Sequence, residues 1–237
     1  MTIRADLHIH SCLSPCGDLS MSPRTIAAAA AARGLDLVAL TDHNTTRNVP
    51  AFAAACAEAG LAALYGCEVT TVEEVHVLAL FGDAGRATAF GERVYASLPA
   101  IHRDPERFGD QVVVDVDENI VETLSSYLIS ATPWSLTDLG REIRESGGLF
   151  IPAHADRSAF SVWSQLGFLP PDAYDAVELT GAKGRIDPGD HPRICSSDAH
   201  RPVEIGRRWI EIDGDAPSFA ALVTALRSGS ITTSIAC

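Results

Sequence analysis

The chain is organised around the stretch Asp6-Leu7-His8-Ile9-His10, which places two histidines two residues apart at the end of an apolar run. In a β-strand, residues i and i+2 share a face. We therefore expect Asp6, His8 and His10 to point one way. Leu7 and Ile9 would point the other way and pack against covering helices. Because two neutral imidazoles on one face can bind a divalent metal, this strand is a candidate metal-binding element.

The segments that follow repeat a strand, a polar tip and a helix. Ser22-Pro23 predicts a helix start, with serine as the N-cap and proline at the first helical position. A mostly apolar strand then delivers Asp42-His43, and after a second helix another strand leads to Glu68. This alternation is typical of a parallel α/β sheet or barrel.

Two segments depart from this alternation. The apolar strand that contains His76 follows Glu68 too closely for a crossover helix, so we predict a hairpin there. Residues 99–134 contain strand-like segments around a polar turn and predict a small insertion. Such an insertion beside the site would form a lid or a wall of the substrate pocket.

Composition indicates one soluble domain over residues 1–237. No apolar run approaches the roughly 20 residues of a membrane helix, and residues 1–20 lack a signal-peptide core. We therefore expect a cytoplasmic protein that does not associate with membranes. The net charge of -13 and the lack of a basic cluster argue against binding to a nucleic-acid backbone.

Chemistry-bearing side chains recur at the ends of the predicted strands, where α/β barrels build their sites. Six of the eight histidines of the chain belong to this set. Its members are His8, His10, His43, Glu68, His76, His154, Asp198 and His200. A chance distribution of unrelated histidines would not follow the strand ends along the whole chain. His102 and His191 lie in polar loops and are expected to be exposed bystanders.

The motifs that carry this set resemble the polymerase and histidinol phosphatase (PHP) family of metal-dependent phosphoesterases. The matching motifs, which span most of the chain, are Asp6-Leu-His-Ile-His-Ser11, Leu40-Thr-Asp-His43, Glu68 with Val75-His76-Val77, Pro152-Ala-His154, and Ser197-Asp-Ala-His200. The resemblance implies an α/β fold, a distorted (β/α)7 barrel, with a di- or trinuclear metal site at the carboxyl ends of the strands.

Carried over motif by motif, the resemblance implies two to three divalent metal ions. One would be held by His8, His10, Glu68 and Asp198, with Glu68 bridging to a second ion at His76 and His154, and a third ion at His43 and His200. Imidazole and carboxylate ligands suit Zn, Mn or Fe. The nucleophile would be a metal-activated hydroxide, so no catalytic side chain is predicted.

The third ion lacks one ligand at the usual spacing. Family members commonly place Asp or His five or six residues after the second histidine of the first motif, where this chain has Pro15 and Cys16. A soft sulfur would be unusual among these ligands. Asp18 stands four residues before Ser22, as the acidic ligand of the family does. We therefore predict Asp18 as the ligand, with Cys16 as the alternative.

Cationic side chains near the ligands are candidates for phosphate binding. Arg157 follows His154 by three residues, Arg201 follows His200 directly, and Lys183 is a weaker candidate. Asp42 would orient His43 or cap the following loop.

The sequence therefore predicts a metal-dependent phosphoesterase that acts on a small phosphorylated metabolite or nucleotide. An amidohydrolase is the nearest alternative, but those enzymes often bridge metals with a carboxylated lysine before the later histidines, and Lys183 lies after His154. We also consider an exonuclease of the PHP type and a metal-binding regulatory module without catalysis.

Overall fold

The computed structural model describes residues 1–101, 104, 108–181 and 185–235. None of the helices in these residues is long and apolar enough to cross a membrane. His102 and Lys183, predicted as a bystander and as a phosphate-binding residue, lie outside the described residues.

The amino-terminal part alternates strands and helices, as the sequence predicts. Its elements are β1 (Thr2–Ile9), α1 (Pro23–Ala32), β2 (Leu37–His43), α2 (Val49–Ala59), β3 (Ala62–Thr70), β4 (His76–Phe81) and α3 (Ala84–Ser97). The predicted start of α1 is confirmed, because the Ser22 side chain accepts a hydrogen bond from the Thr25 backbone N–H and Pro23 follows it.

The carboxyl-terminal part has shorter elements. They are β5 (Val112–Val114), β6 (Ile120–Thr123), α4 (Leu136–Glu145), β7 (Leu149–Pro152), α5 (Val162–Leu166), β8 (Val177–Glu178), β9 (Arg193–Ile194), a 3-10 helix (Pro202–Glu204), β10 (Ile210–Asp213), α6 (Phe219–Ser228) and β11 (Ile231–Thr233). Because β8 and β9 have two residues each, loops carry most of the chain between β7 and β10.

Seven strands form one mixed sheet in the order β11-β10-β1-β2-β3-β4-β7. Strands β1, β2 and β3 are parallel, whereas β4 is antiparallel to both β3 and β7. The hairpin predicted between Glu68 and His76 is therefore confirmed. Because β4 runs back from the hairpin, its first residue lies at the same edge as the ends of β2, β3 and β7.

The α/β prediction is confirmed, but the described residues do not form a regular (β/α)7 barrel. The β3–β4 connection is too short for a crossover helix, and β10 pairs antiparallel with β1. Strands β8 and β9 form a separate two-stranded sheet. One isolated bridge, between Ile9 and Ala199, joins β1 to the loop after β9.

The first strand is irregular where its ligands begin. The register of β1 against β2 shifts between Asp6 and Ile9. Leu7 consequently packs in a core cluster with Leu37, whereas Ile9 packs in another cluster beside α1 and α2. The prediction that Leu7 and Ile9 share a face, with Asp6 beside the two histidines, is wrong because the shift interrupts the two-residue alternation.

The predicted insertion contains the β5–β6 hairpin, which is a separate two-stranded sheet. The side chain of Asn48, at the start of α2, donates to the Val112 carbonyl at 3.3 Å and accepts from the Val114 N–H at 2.9 Å. Ile129, farther along the same segment, lines a cavity beside the metal-ligand candidates. The segment therefore forms a wall of that cavity.

Candidate metal centre

The predicted ligands meet at one edge of the mixed sheet. Three groups of side chains each present ligand atoms within 4.8 Å of one another. The groups are His8, His10 and Asp198; His43, Glu68 and His76; and His10, Cys16, His43 and His200. Most of these side chains are buried, so the sheet brings them together away from bulk water.

The two histidines of the first motif turn the same ring atom toward each other. His8 Nε2 lies 3.0 Å from His10 Nε2. Asp198 Oδ1 lies 3.4 Å from each of these nitrogens. Two imidazole nitrogens and a carboxylate oxygen thus converge on one small volume.

Buried partners assign the tautomers of these histidines. His8 Nδ1 donates to Glu178 Oε2 at 3.0 Å, which leaves its Nε2 lone pair free. The Ser14 hydroxyl donates to Asp42 Oδ1 at 2.7 Å, so it accepts from His10 Nδ1 at 3.0 Å. Both Nε2 atoms therefore present lone pairs to each other.

This arrangement fits a cation. Two lone pairs that face each other at 3.0 Å repel unless a proton or a metal ion lies near both. A histidine that binds a metal through one ring nitrogen usually donates the N–H of its other ring nitrogen to a polar partner such as a carboxylate. The donor set of imidazoles and carboxylates also fits a divalent transition metal.

Glu68 lies between two groups of imidazoles. Its Oε1 is 2.9 Å from His76 Nδ1 and 3.0 Å from His154 Nε2. Its Oε2 is 3.2 Å from His43 Nδ1 and 3.3 Å from His10 Nε2. This position, with one oxygen toward each group, is the position expected of a bridging carboxylate.

Besides His10, which directly follows β1, three ligand candidates of the carboxyl-terminal part lie outside strands: His154, Asp198 and His200. His154 follows β7 with φ 31°, and Asp198 follows β9 with φ 53°. Histidine and aspartate tolerate this left-handed region better than most residues do, yet such backbone persists only where neighbours hold it. Glu178 Oε2 accepts from the His154 backbone N–H at 2.8 Å. The ring of His200 stacks on His10, with centroids 4.3 Å apart.

The electrostatics of the centre favour ionised carboxylates. Burial opposes the charge of Glu68, but His76, His8 and His43 hold its pKa well below the usual range. Burial also opposes charge on His10, yet Asp198 and Glu68 raise the pKa of that ring to about 9. The buried negative charge therefore attracts whatever cation is available.

The structure does not bring Asp18 to the centre, which corrects that prediction. The Asp18 carboxylate is exposed and accepts from the Ser20 backbone N–H at 2.9 Å, so it caps a turn. Hydrogen bonds to Ser20 lower its pKa. Cys16, the alternative, lies with His10, His43 and His200 instead.

Asp42 acts on a different ring from the one predicted. Its carboxylate accepts from the backbone N–H and the hydroxyl of Ser11, both at 2.7 Å, and from Ser14. Through Ser14 it orients His10, whereas it reaches His43 only through the bond from the His43 N–H to the same hydroxyl, at 3.2 Å.

The predicted phosphate-binding arginines lie at the mouth of the centre. Arg157 Nη1 donates to Asp198 Oδ2 at 2.7 Å, and 48% of its side chain is exposed. It lines a cavity of about 180 Å³ with His43, Glu68 and His76, and also an open groove of about 660 Å³. Arg201 lines the groove. His191 belongs to none of the ligand groups, but it is half-buried against the Tyr174 ring and not exposed as predicted.

The sequence matches two known protein families. Residues 6–138, more than half of the chain, match the PHP domain, and residues 190–231 match the PHP-associated family. The chain belongs to the PHP family. No curated protein matches the sequence.

Solved structures share the PHP fold at low sequence identity. The lesion-specific endonuclease EndoQ from Pyrococcus furiosus is 21% identical with a TM-score of 0.72, and the match covers 98% of this chain and 58% of EndoQ. Endonuclease Q in complex with a 27-mer duplex that carries an abasic lesion is 20% identical with a TM-score of 0.70 over 96% and 57% of the two chains. A putative metal-dependent phosphoesterase from Bifidobacterium adolescentis is 20% identical with a TM-score of 0.55 over 96% of both chains.

These structures correct the exclusion of nucleic acid as a partner. This chain spans less than two thirds of the two endonuclease structures it matches, and one of them was solved with a DNA duplex that carries an abasic lesion. Net charge was a poor guide because it averages the whole surface. The groove beside the centre is lined by Arg157, Arg201, Arg207 and Arg208 in a chain whose net charge is -13.

Glu178 is the site residue that sequence reasoning missed in this PHP chain. It is buried, and one of its oxygens holds both the His8 ring and the His154 backbone. The available signal was an acidic residue inside the apolar run Ala176-Val-Glu-Leu179, because a buried carboxylate needs a polar partner. Ser14 was also missed, since serines in polar loops are common.

Proposed function

We propose that this protein is a metal-dependent phosphoesterase. The observation that supports the proposal is the position of Glu68, which presents one oxygen to His76 and His154 and the other to His10 and His43. A carboxylate between two sets of imidazoles is suited to hold two cations close together, as in many phosphoester hydrolases.

The chain would hold two to three divalent ions. His8, His10, Asp198 and Glu68 would hold the first, Glu68, His76 and His154 the second, and His43 and His200 would contribute to a third. When bound, Zn, Mn or Fe ions would lower the pKa of a coordinated water to about 7 and polarise the phosphoryl oxygens.

The side chains around the ligands fix their orientation. Glu178 keeps the proton of His8 on Nδ1, and the Asp42–Ser14 pair does the same for His10. Because both rings are buried and held before any ligand arrives, little reorganisation is needed when a substrate binds. The wall at Ile129 limits access of water to the cavity from one side.

Two arginines are placed to bind phosphate oxygens. Arg157 lies at the border of the cavity and the groove, and Arg201 lies in the groove. Guanidinium groups bind phosphate by paired, charge-assisted hydrogen bonds. In this proposal Arg157 exchanges part of its contact with Asp198 for the substrate.

The substrate is a phosphate ester whose phosphoryl group enters the cavity of about 180 Å³. A small phosphorylated metabolite or a nucleotide would fit with its remaining part in the groove. A nucleic-acid strand is the second candidate, favoured by the four arginines of the groove and by the similarity to an endonuclease solved with duplex DNA.

A substrate screen after metal reconstitution tests the proposal. Metal-free protein would be loaded with Zn²⁺, Mn²⁺ or Fe²⁺ and assayed on p-nitrophenyl phosphate, phosphorylated metabolites, nucleotides, and single- and double-stranded oligonucleotides, including a duplex with an abasic site. We expect phosphate release or strand cleavage that a chelator abolishes. Undiminished hydrolysis in metal-free protein, or no hydrolysis of any substrate by metal-loaded protein, would overturn it.

A further inference from the structure

We infer that Cys16 is a thiolate ligand of the third metal position and gives that position a preference for zinc-like cations. The inference extends the proposed metal centre but does not depend on its hydrolytic activity. The Cys16 sulfur and one nitrogen each of His10, His43 and His200 lie within 4.8 Å of one another, and this cluster is the basis of the inference.

The loop conformation directs Cys16 toward the histidines while leaving it exposed. The Gly17 N–H donates to the Ser14 carbonyl at 2.8 Å, and the Asp18 N–H donates to the His200 carbonyl at 2.9 Å. A Cβ atom at Gly17 would lie 2.4 Å from the Ser11 carbonyl oxygen, so only glycine fits there. This tight turn places Cys16 beside the histidines and turns the Asp18 side chain outward.

The hydrogen bonding of His43 and His200 is a second observation that fits a metal ligand role for this cluster. His43 is 4% exposed, and its Nδ1 makes no hydrogen bond within the described residues, although it lies 3.2 Å from Glu68 Oε2. His200 Nδ1 lies 2.9 Å from the Asp198 carbonyl oxygen and donates to it, which leaves Nε2 with a free lone pair. Buried ring nitrogens without a partner are costly unless something binds them.

The chemistry of the cluster differs from that of its neighbours. The other two groups combine imidazoles with Asp198 or Glu68, whereas this group combines imidazoles with sulfur. Thiolate and imidazole ligands favour Zn²⁺ and Co²⁺, whereas carboxylates and water suit Mn²⁺. The third metal position would therefore retain zinc under conditions in which the two carboxylate-containing positions exchange their ions for manganese.

Cobalt spectroscopy tests the ligand directly. Metal-free protein loaded with Co²⁺ is expected to show a thiolate-to-cobalt charge-transfer absorption in the near ultraviolet. Cys16→Ser should remove this absorption and lower the bound metal by about one ion per chain, the loss expected of one ligand at one site. Asp18→Asn is the matched control and should change neither quantity.

Alkylation provides a measurement on the unmodified chain. Cys16 is exposed, whereas Cys12, Cys56, Cys67 and Cys195 are buried. Iodoacetamide should label Cys16 in metal-free protein, and zinc should protect it, as peptide mass spectrometry would show.

Three results would overturn the inference. They are a cobalt spectrum without the thiolate absorption, an absorption that survives Cys16→Ser, and labelling of Cys16 that zinc does not reduce. Loss of the third ion in Asp18→Asn but not in Cys16→Ser would assign the position to Asp18. None of these readouts involves hydrolysis, so failure of the proposed function would be recognised separately.

Discussion

Two regions supply the metal centre, and they hold their ligands by different means. Strands β1 to β4 carry His8, His43, Glu68 and His76. Ladders fix their backbone, with His43 directly opposite Glu68, and are interrupted only by the register shift of β1 between Asp6 and Ile9. The region from residue 153 to 208 presents its ligands from loops with two-residue strands nearby. The strand region is positioned by the sheet, whereas the loop region needs other support.

Buried carboxylates that are not ligand candidates provide this support. Asp6 Oδ1 accepts from the Ser197 N–H and Asp6 Oδ2 accepts from the Gly206 N–H, both at 2.9 Å. Glu178 holds the backbone of His154. In the loop region, side-chain acceptors therefore replace the ladder of the sheet. Substitution of a ligand should remove bound metal, whereas substitution of one of these acceptors should weaken metal binding or the folding of the loops.

The largest effect is expected from Glu68→Gln. The amide keeps the shape of the side chain but cannot supply two anionic oxygens to the two groups of imidazoles. Both metal positions beside Glu68 would therefore bind their ions more weakly. We expect loss of at least one bound metal ion per chain, by elemental analysis, and loss of detectable hydrolysis. The exposed Glu74→Gln is the control. A variant with full metal content and activity would remove Glu68 from the centre.

Glu178→Gln should have the next largest effect. It weakens the partner of His8 Nδ1 and of the His154 N–H while touching no metal position directly. Substitution of such a partner typically costs 10- to 100-fold in metal affinity or activity. Metal titration should show this loss, with Glu211→Gln in β10 as the control. Unchanged affinity would mean that the strand region alone orients His8.

Asp6→Asn tests the support of the loops. The amide can accept one of the two N–H bonds, but its NH₂ group faces the other, which leaves a buried donor unpaired. We expect a decrease of about 1–3 kcal/mol in the free energy of unfolding of metal-free protein, measured in urea. Asp215 is exposed, and the free energy of unfolding of the Asp215→Asn control should lie within about 0.5 kcal/mol of that of the parent protein. Equal stability of the two variants would contradict the role of Asp6.

Arg157→Ala should have the smallest effect. Because about half of its side chain is exposed (48%), we expect the loss of its phosphate contact to raise KM roughly tenfold, the lower end for a charge-assisted hydrogen bond. Metal content should stay unchanged. Arg141→Ala, on the surface of α4, serves as the control. If KM and kcat were both unaffected on the best substrate, Arg157 would have no role in binding.

The sequence predicted the strand region well and the loop region in part. Ligands at strand ends follow from a periodic pattern, so His8, His43 and His76 could be placed before the structure was known. The register shift between Asp6 and Ile9 could not, because it depends on the pairing partner β2. The side of the loop on which Cys16 and Asp18 lie depends on backbone hydrogen bonds of that loop, which spacing does not encode.

The role of Glu178 could not be predicted from the sequence for another reason. Its strand has two residues, too few for a periodic pattern, and its partners lie 24 and 170 positions away in the chain. Residues that hold loops together across such distances can be recognised only when the fold has brought them together.

The isolated bridge between Ile9 and Ala199 is a weakly paired junction beside the centre. The His10 N–H donates to the Ala199 carbonyl at 2.9 Å and the Ala199 N–H donates to the His8 carbonyl at 3.4 Å, but no longer ladder joins β1 to this loop within the described residues. Segments with few backbone bonds open by local unfolding at low free energy, and their amide hydrogens exchange early. We expect the amides of His10 and Ala199 to exchange faster than those of β2 in metal-free protein, and to slow down when metal binds.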